Sequence, residues 1–244
     1  MCGIFFCCTR NGPQFPSQIC LESLCRRGPD NKATVSRLVT LKSALPRSPS
    51  SEQEKQSISI TFVLTVLSLR GDLIVSQPLQ DQQSGFLFCW NGEAWRVGEK
   101  TIRGNDAEFV FNHFLQCFRN PSYDDVLQNI VSLVSSITGP FSFVFYDARH
   151  HRVFYGRDAL GRRSLVVRNS LPGGLVISSI CDAADPEHWT EVEADGIYIL
   201  DLQEALIESQ REIAHIPWSI GKPESELPIT LVRPFFVPFI LLRH

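Results

Sequence analysis

From Phe141 to Asp201 the chain is a succession of short apolar runs joined by short turns: Phe141–Tyr146, Arg152–Tyr155, Ser164–Arg168, Leu175–Ser179 and Gly196–Asp201. Parallel neighbours need a crossover of a dozen or more residues, usually a helix, whereas antiparallel ones close through a hairpin. This stretch therefore cannot build a parallel, doubly wound sheet. Four more apolar segments come before it: Gly3–Cys8, Ala33–Leu41, the β-branched run Ile58–Leu69, and Gly85–Trp90, which leads into a sharp Asn91-Gly92 turn. Helical spacing appears over Ser17–Arg26, Asp106–Phe118 and Tyr123–Ile137, with Val110, Phe114 and Cys117 on one stripe and Val126, Ile130, Leu133 and Val134 on another. Gly28-Pro29-Asp30 stops the first helix. Strands arriving in hairpins around a central helical pair predict an α+β fold in which two antiparallel sheets stack and helices cover them.

Composition narrows the function. The net charge of -3 gives no electrostatic basis for binding nucleic acid or an anionic membrane, and favours a small, locally recognised ligand. The eight cysteines stand at 2, 7, 8, 20, 25, 89, 117 and 181, with no Cys-x-x-Cys pair and no histidine cluster. No metal site is expected from that pattern, and reduced thiols predict a cytoplasmic location. His113 reads as a helix-surface residue and His150-His151 as part of a hairpin turn, and neither is assigned chemistry. The Ser-, Pro-, Glu- and Gln-rich segment 43–57 reads as a flexible loop inside a domain spanning 2–210. Residues 211–244 read as an irregular, Pro-rich apolar tail. Its run from Pro228 is shorter than the roughly 20 residues a membrane span requires, and Arg233, Pro234 and Pro238 interrupt it.

The start of the chain, Met1-Cys2-Gly3-Ile4, carries the chemistry. Initiator methionine is expected to be removed before a small residue such as cysteine. One residue would then hold a thiol nucleophile and, in an α-amine of unperturbed pKa roughly 7.7–8.0, its own general base. The alternative is a small apolar residue opening a buried strand.

Five segments in order resemble the class II glutamine amidotransferase domain of the asparagine synthetase family, an N-terminal nucleophile hydrolase. They are Met1-Cys2-Gly3-Ile4, Arg27-Gly28-Pro29-Asp30, Trp90-Asn91-Gly92-Glu93, Asn105-Asp106-Ala107-Glu108 and Gly156-Arg157-Asp158-Ala159-Leu160-Gly161-Arg162-Arg163. The segments Val66–Gly71 and Gly161–Leu165 are most similar to the asparagine synthetase domain-containing subgroup. The resemblance implies a four-layer αββα sandwich with the site where Cys2 opens the first strand. It also implies glutamine as substrate, hydrolysed to glutamate and ammonia. Releasing ammonia from a side-chain amide passes through a tetrahedral oxyanion that needs fixed donors. The resemblance gives that task to the Asn91 side-chain amide and the Gly92 backbone N–H, and makes Cys2 the nucleophile. Asp106 corresponds to the carboxylate that takes the substrate α-ammonium, Glu93 contacts glutamine or braces the loop, and Arg27 contacts substrate or makes a structural ion pair. Arg157 and Asp158 are expected to fix a turn. No cofactor is implied for this chain, since ATP and magnesium belong to a synthetase domain, which could be a separate domain or subunit partnering this one.

Two departures stand out. The family's arginine that clamps the substrate α-carboxylate corresponds to Val66, which offers no charge-assisted contact. Arg70 follows on what reads as the same strand, roughly 13 Å further along. The Ser-Gly-Gly-x-Asp-Ser phosphate loop of the synthetase domain is absent from the sequence. These departures point to a second reading: a catalytically weakened or inactive homologue serving as a glutamine-sensing or protein-interaction module.

Overall fold

The computed structural model describes residues 1–41, 56–119, 122–170, 174–203, 213–218 and 230–232. Segment 43–55 of the expected loop and most of the tail beyond 218 lie outside the described residues.

One sheet is assembled from β1 (Gly3–Thr9), β2 (Asn31–Leu41), β3 (Gln56–Val66), β11 (Val166–Ser170), β12 (Gly174–Ser178) and β13 (Trp189–Glu191), in the order β13-β11-β12-β1-β3-β2. The second contains β4 (Leu79–Gln80), β5 (Leu87–Gly92), β9 (Phe141–Asp147), β10 (Arg152–Arg157), β14 (Gly196–Asp201), β15 (Ile213–Pro217) and β16 (Thr230–Val232), in the order β16-β15-β14-β10-β9-β5-β4. Every ladder in both sheets is antiparallel. A small third sheet joins β6 (Arg96–Val97), β7 (Lys100–Thr101) and β8 (Ile137–Thr138).

Period-2 alternation decides which face of each strand meets which layer. On β1, Ile4, Phe6 and Cys8 face the second sheet and pack with Cys89, Val144, Tyr146 and Tyr155. The intervening Phe5 and Cys7 turn the other way, onto Cys20 and Leu24 of α1 (Gln18–Arg27). The far face of the second sheet carries Phe88, Trp90, Phe143 and Phe145, covered by α2 (Asp106–Cys117) and α3 (Tyr123–Ser135) through Val110, Phe114, Ile130 and Val134. The layers run α1, sheet, sheet, α2/α3: the four-layer αββα sandwich. β1 is apolar on both faces because both of its faces are covered.

Three expectations are corrected. The tail does not begin at 211: Ile213–Pro217 pairs with β14 and buries Ile213 and Ile216, and Thr230–Val232 pairs with it in turn. The short Ile-Ala-His-Ile run lacks the strong alternation of a half-buried strand, so the sheet edge it completes was invisible locally. Residues 56–57 belong to β3 and not to the loop. The run Ile58–Leu69 is not strand throughout, since β3 ends at Val66 and the chain leaves the sheet there.

α1 meets the sheet at very short range. Ser17 caps it, accepting from the Cys20 N–H at 3.2 Å, and Thr65 donates to the Leu24 carbonyl at 2.6 Å. A Cβ on Gly28 would lie 2.4 Å from the Thr65 carbonyl carbon and 2.5 Å from the Val66 nitrogen, both backbone atoms that cannot swing aside. Gly28→Ala is therefore expected to destabilise the fold by about 1–3 kcal/mol. A lowered midpoint in urea at unchanged slope is the expected observation, and an unaltered midpoint would contradict the close approach.

Candidate active site

The end of the sandwich where β1 starts holds a cleft lined by Cys2, Val66, Asn91, Gly92, Glu93 and Asp106. Met1, the loop residues Leu67–Arg70, Gln77, Asn105 and Arg163 also line it. Positions as far apart as 2 and 163 thus share one wall.

Cys2 precedes β1, the strand hydrogen-bonded between β12 and β3, so the backbone beyond it is fixed on both sides. Its thiol is largely buried, with Sγ 3.8 Å from the Leu67 carbonyl oxygen. The end of α1 holds the terminus: the Met1 ammonium donates to the Arg27 carbonyl at 3.3 Å, and Arg27 Nε donates to the Cys2 carbonyl at 3.3 Å. Arg27 lies behind the terminus and not on the cleft wall, so it grips the nucleophile's backbone. Burial pushes the Cys2 thiol above its ordinary value; the contact with Leu67, the nearby ammonium and Arg163 oppose this, while Asp106 adds to it. Burial likewise lowers the Met1 ammonium. A raised thiol pKa leaves less thiolate at any pH below that value. In the Met1-bearing chain, Cys2 alkylation by iodoacetamide should be slower than that of free cysteine at pH 7. It should still be rising with pH above the ordinary thiol range, as peptide mapping across pH would reveal. A plateau below pH 9 would contradict the shift.

Asn91 and Gly92 end β5 as paired strand residues, opposite Ser142 and Phe141 of β9, and the ladder is extended by the Glu93 N–H to the Pro140 carbonyl at 2.9 Å. The expected Asn-Gly hairpin turn does not exist, because β9 continues alongside and carries the pair past the point where a turn would start. Asn91 is 1 % exposed, and its Nδ2 has no hydrogen-bond partner among the described residues. An unsatisfied buried donor costs about 1–3 kcal/mol, so its presence on a cleft wall marks a group awaiting an acceptor. A side chain at Gly92 would strike the Trp90 ring at 2.7 Å and Phe141 Cβ at 2.8 Å. The glycine therefore lets Trp90 stack on Phe141, with ring centroids 5.2 Å apart.

Trp90 in turn fixes Asp106. Its Nε1–H donates to Asp106 Oδ2 at 2.9 Å, and the Ala94 N–H reaches the same oxygen at 2.8 Å. Asp106 opens α2 behind the Asn105 cap, whose Oδ1 accepts from the Glu108 N–H at 3.1 Å. Oδ1 of Asp106 receives no hydrogen bond from the described residues, so this buried carboxylate presents one free oxygen at the cleft. Glu93 is on the wall beside Asn91 and Gly92.

Because β3 ends at Val66, the spacing argument for Arg70 fails: the loop folds back and Arg70 reaches the cleft. Its Nη1 donates to the Ala94 carbonyl and its Nη2 to the Ile102 carbonyl at 2.7 Å, tying the β5 exit to the approach to α2. Arg157 and Asp158 do build a turn. Asp158 accepts from the Leu160 and Arg162 N–H groups and from Arg162 Nε, and Arg157 Nε grips the Arg163 carbonyl at 2.7 Å. That turn delivers Arg163 to the cleft. Sequence reasoning passed over Arg70, Gln77 and Arg163 as site residues; for Arg163 the only signal was its membership of the turn motif.

Residues 74–185 match the family model described as a glutamine amidotransferase domain. Over 224 residues, 89% of this chain, it is 32% identical to asparagine synthetase domain-containing protein 1 of Bos taurus and 31% identical to that of Mus musculus. Residues 74–185 thus carry a glutamine amidotransferase domain, and the chain is similar to the asparagine synthetase domain-containing proteins. It spans only 31% and 32% of the length of those two relatives. Among solved structures, the glutamine phosphoribosylpyrophosphate amidotransferase of B. subtilis superposes with a TM-score of 0.54 at 17% identity, covering 89% of this chain and 49% of that one. A likeness at that identity concerns the fold alone, which is that of the N-terminal nucleophile amidotransferases.

No helix among the described residues of this amidotransferase domain is long and apolar enough to cross a membrane. No group of three or more His, Cys, Asp or Glu side chains that could hold a metal occurs among them either.

Proposed function

We propose that the cleft hydrolyses glutamine to glutamate and ammonia, with Cys2 as nucleophile once Met1 has been removed. The observation that carries this reading is the buried, partnerless Asn91 Nδ2 on the same wall as the Cys2 thiol. In the proposed sequence the Cys2 α-amine takes the thiol proton and sulfur attacks the amide carbon of glutamine. Charge develops on the amide oxygen, where Asn91 Nδ2 and the Gly92 N–H donate to it. The tetrahedral intermediate collapses, the C–N bond breaks, and the protonated amine delivers its proton to the departing nitrogen as ammonia. Water then attacks the thioester, aided by the same amine, and glutamate leaves with the thiol restored. Asp106 Oδ1 receives the substrate α-ammonium, Glu93 borders the bound glutamine, and Arg27 keeps the nucleophile's backbone in place through the Cys2 carbonyl.

The ammonia acceptor would be supplied by a synthetase domain or a separate synthetase subunit. The relatives' printed name supports an asparagine synthetase-like partner domain, and we place this site in asparagine biosynthesis on that basis.

Intact mass after exposure to a glutamine-mimicking diazoketone tests the reading. One adduct on Met1-processed protein, absent from Cys2→Ala and blocked by glutamine, is expected. No adduct, or labelling spread over the other seven cysteines, would overturn it.

A further inference from the structure

Glutamine seated with its ammonium on Asp106 brings a carboxylate into a cleft where Val66 offers only methyl groups. Two guanidinium groups border that cleft, Arg70 and Arg163. Arg70 is already committed to the carbonyls of Ala94 and Ile102. Arg163 differs in its side-chain hydrogen bonding. Its Nε is buried without a hydrogen-bond partner, and no ion pair joins its guanidinium to a carboxylate among the described residues. Its backbone is nonetheless fixed, by Arg157 on its own carbonyl and by Asp158 on the preceding N–H, so a charged side chain without a counter-ion among the described residues stands on a rigid turn.

Its neighbours sharpen the imbalance. After burial, the positive charge of Arg163 is the next influence holding the Arg27 guanidinium below its ordinary value, and it also disfavours the terminal ammonium. Like charges gathered in a partly desolvated place are stabilised by an anion. A guanidinium takes a carboxylate through two parallel N–H···O bonds, and does so better than any other side chain.

We infer that Arg163 is the α-carboxylate contact of this site, supplying from the 158–163 turn the guanidinium that position 66 lacks. The inference rests on the glutamine reading above. It makes the substrate class one with a free α-carboxylate as well as a free α-ammonium, the two charges held by Arg163 and Asp106.

Binding to Met1-processed Cys2→Ala protein tests this without turnover, by calorimetric titration with L-glutamine and with its α-carboxamide. Native Arg163 should favour glutamine over the carboxamide by about 10- to 100-fold. Arg163→Met should weaken glutamine by that factor, leave the carboxamide unchanged, and collapse the preference to near unity. Arg163→Lys, which keeps the charge but not the fork, should restore part of it, and thermal melts of each variant report folding. Equal weakening of both ligands, unchanged glutamine affinity in Arg163→Met, or no preference in the parent would overturn the inference. Diazoketone labelling of Cys2 separates the two readings. A labelled Cys2 with no carboxylate preference rejects Arg163 alone, whereas neither labelling nor glutamine binding rejects both.

Discussion

Cys2→Ala is expected to abolish ammonia release from glutamine, with a loss of at least about 10³-fold, while the domain stays folded and still binds glutamine. Removing a covalent nucleophile leaves only the catalysis that binding and oxyanion donors provide, and losses in such cases run to several orders of magnitude. The fold should be indifferent to the change because the thiol contributes little to it. Its one hydrogen bond among the described residues is a weak approach to the Leu67 carbonyl at 3.8 Å, alanine nearly fills the same buried space, and the sheet begins at the following residue. Ammonia production measured alongside glutamine titration checks both halves. Retention of glutamine-dependent ammonia release in Cys2→Ala would show that another group performs the attack.

Asn91→Ala should lower kcat by about 10²–10³-fold, equivalent to about 2.7–4 kcal/mol of transition-state stabilisation, and alter KM far less. The asymmetry follows from the resting state. Nδ2 has no partner there, so truncation surrenders no hydrogen bond until an oxyanion forms. Stability should change little, because the cost of the small void left by a side chain that is 1 % exposed is offset by removal of a buried donor without a partner. Steady-state kinetics and urea unfolding of the same preparation distinguish this from a structural role. A large loss of stability with kcat intact would mean that Asn91 serves the β5–β9 pairing and not the reaction.

Arg163 illustrates what a linear reading overlooks. In sequence it is one arginine in a basic turn motif, and motifs of that kind usually serve the turn itself. Arg157 and Asp158 do serve the turn, but Nε of Arg163 is left without a hydrogen-bond partner among the described residues. Arg70 shows the opposite error. Treated as a strand residue it seemed out of reach, yet the strand ends at Val66, and a chain that leaves a sheet can double back within four residues. Asn91-Gly92 has the composition of a hairpin turn, but whether a second strand runs past it is decided by β9, some fifty positions further on.

The hairpin run, the all-apolar β1, the helical stripes of α2 and α3 and the placing of Cys2 immediately before the first strand were all determined locally. Each depends on the period of side chains along a single element, and that period is written in neighbouring residues. Cleft membership was decided only in three dimensions. It depends on β1 lying hydrogen-bonded between β3 and β12, on Trp90 pinning Asp106, and on the 158–163 turn arriving beside the terminus. The same holds for which polar groups were left unsatisfied there. A hydrogen bond is a relation between two groups, and whether Asn91 or Arg163 lacks one is fixed by everything folded around it.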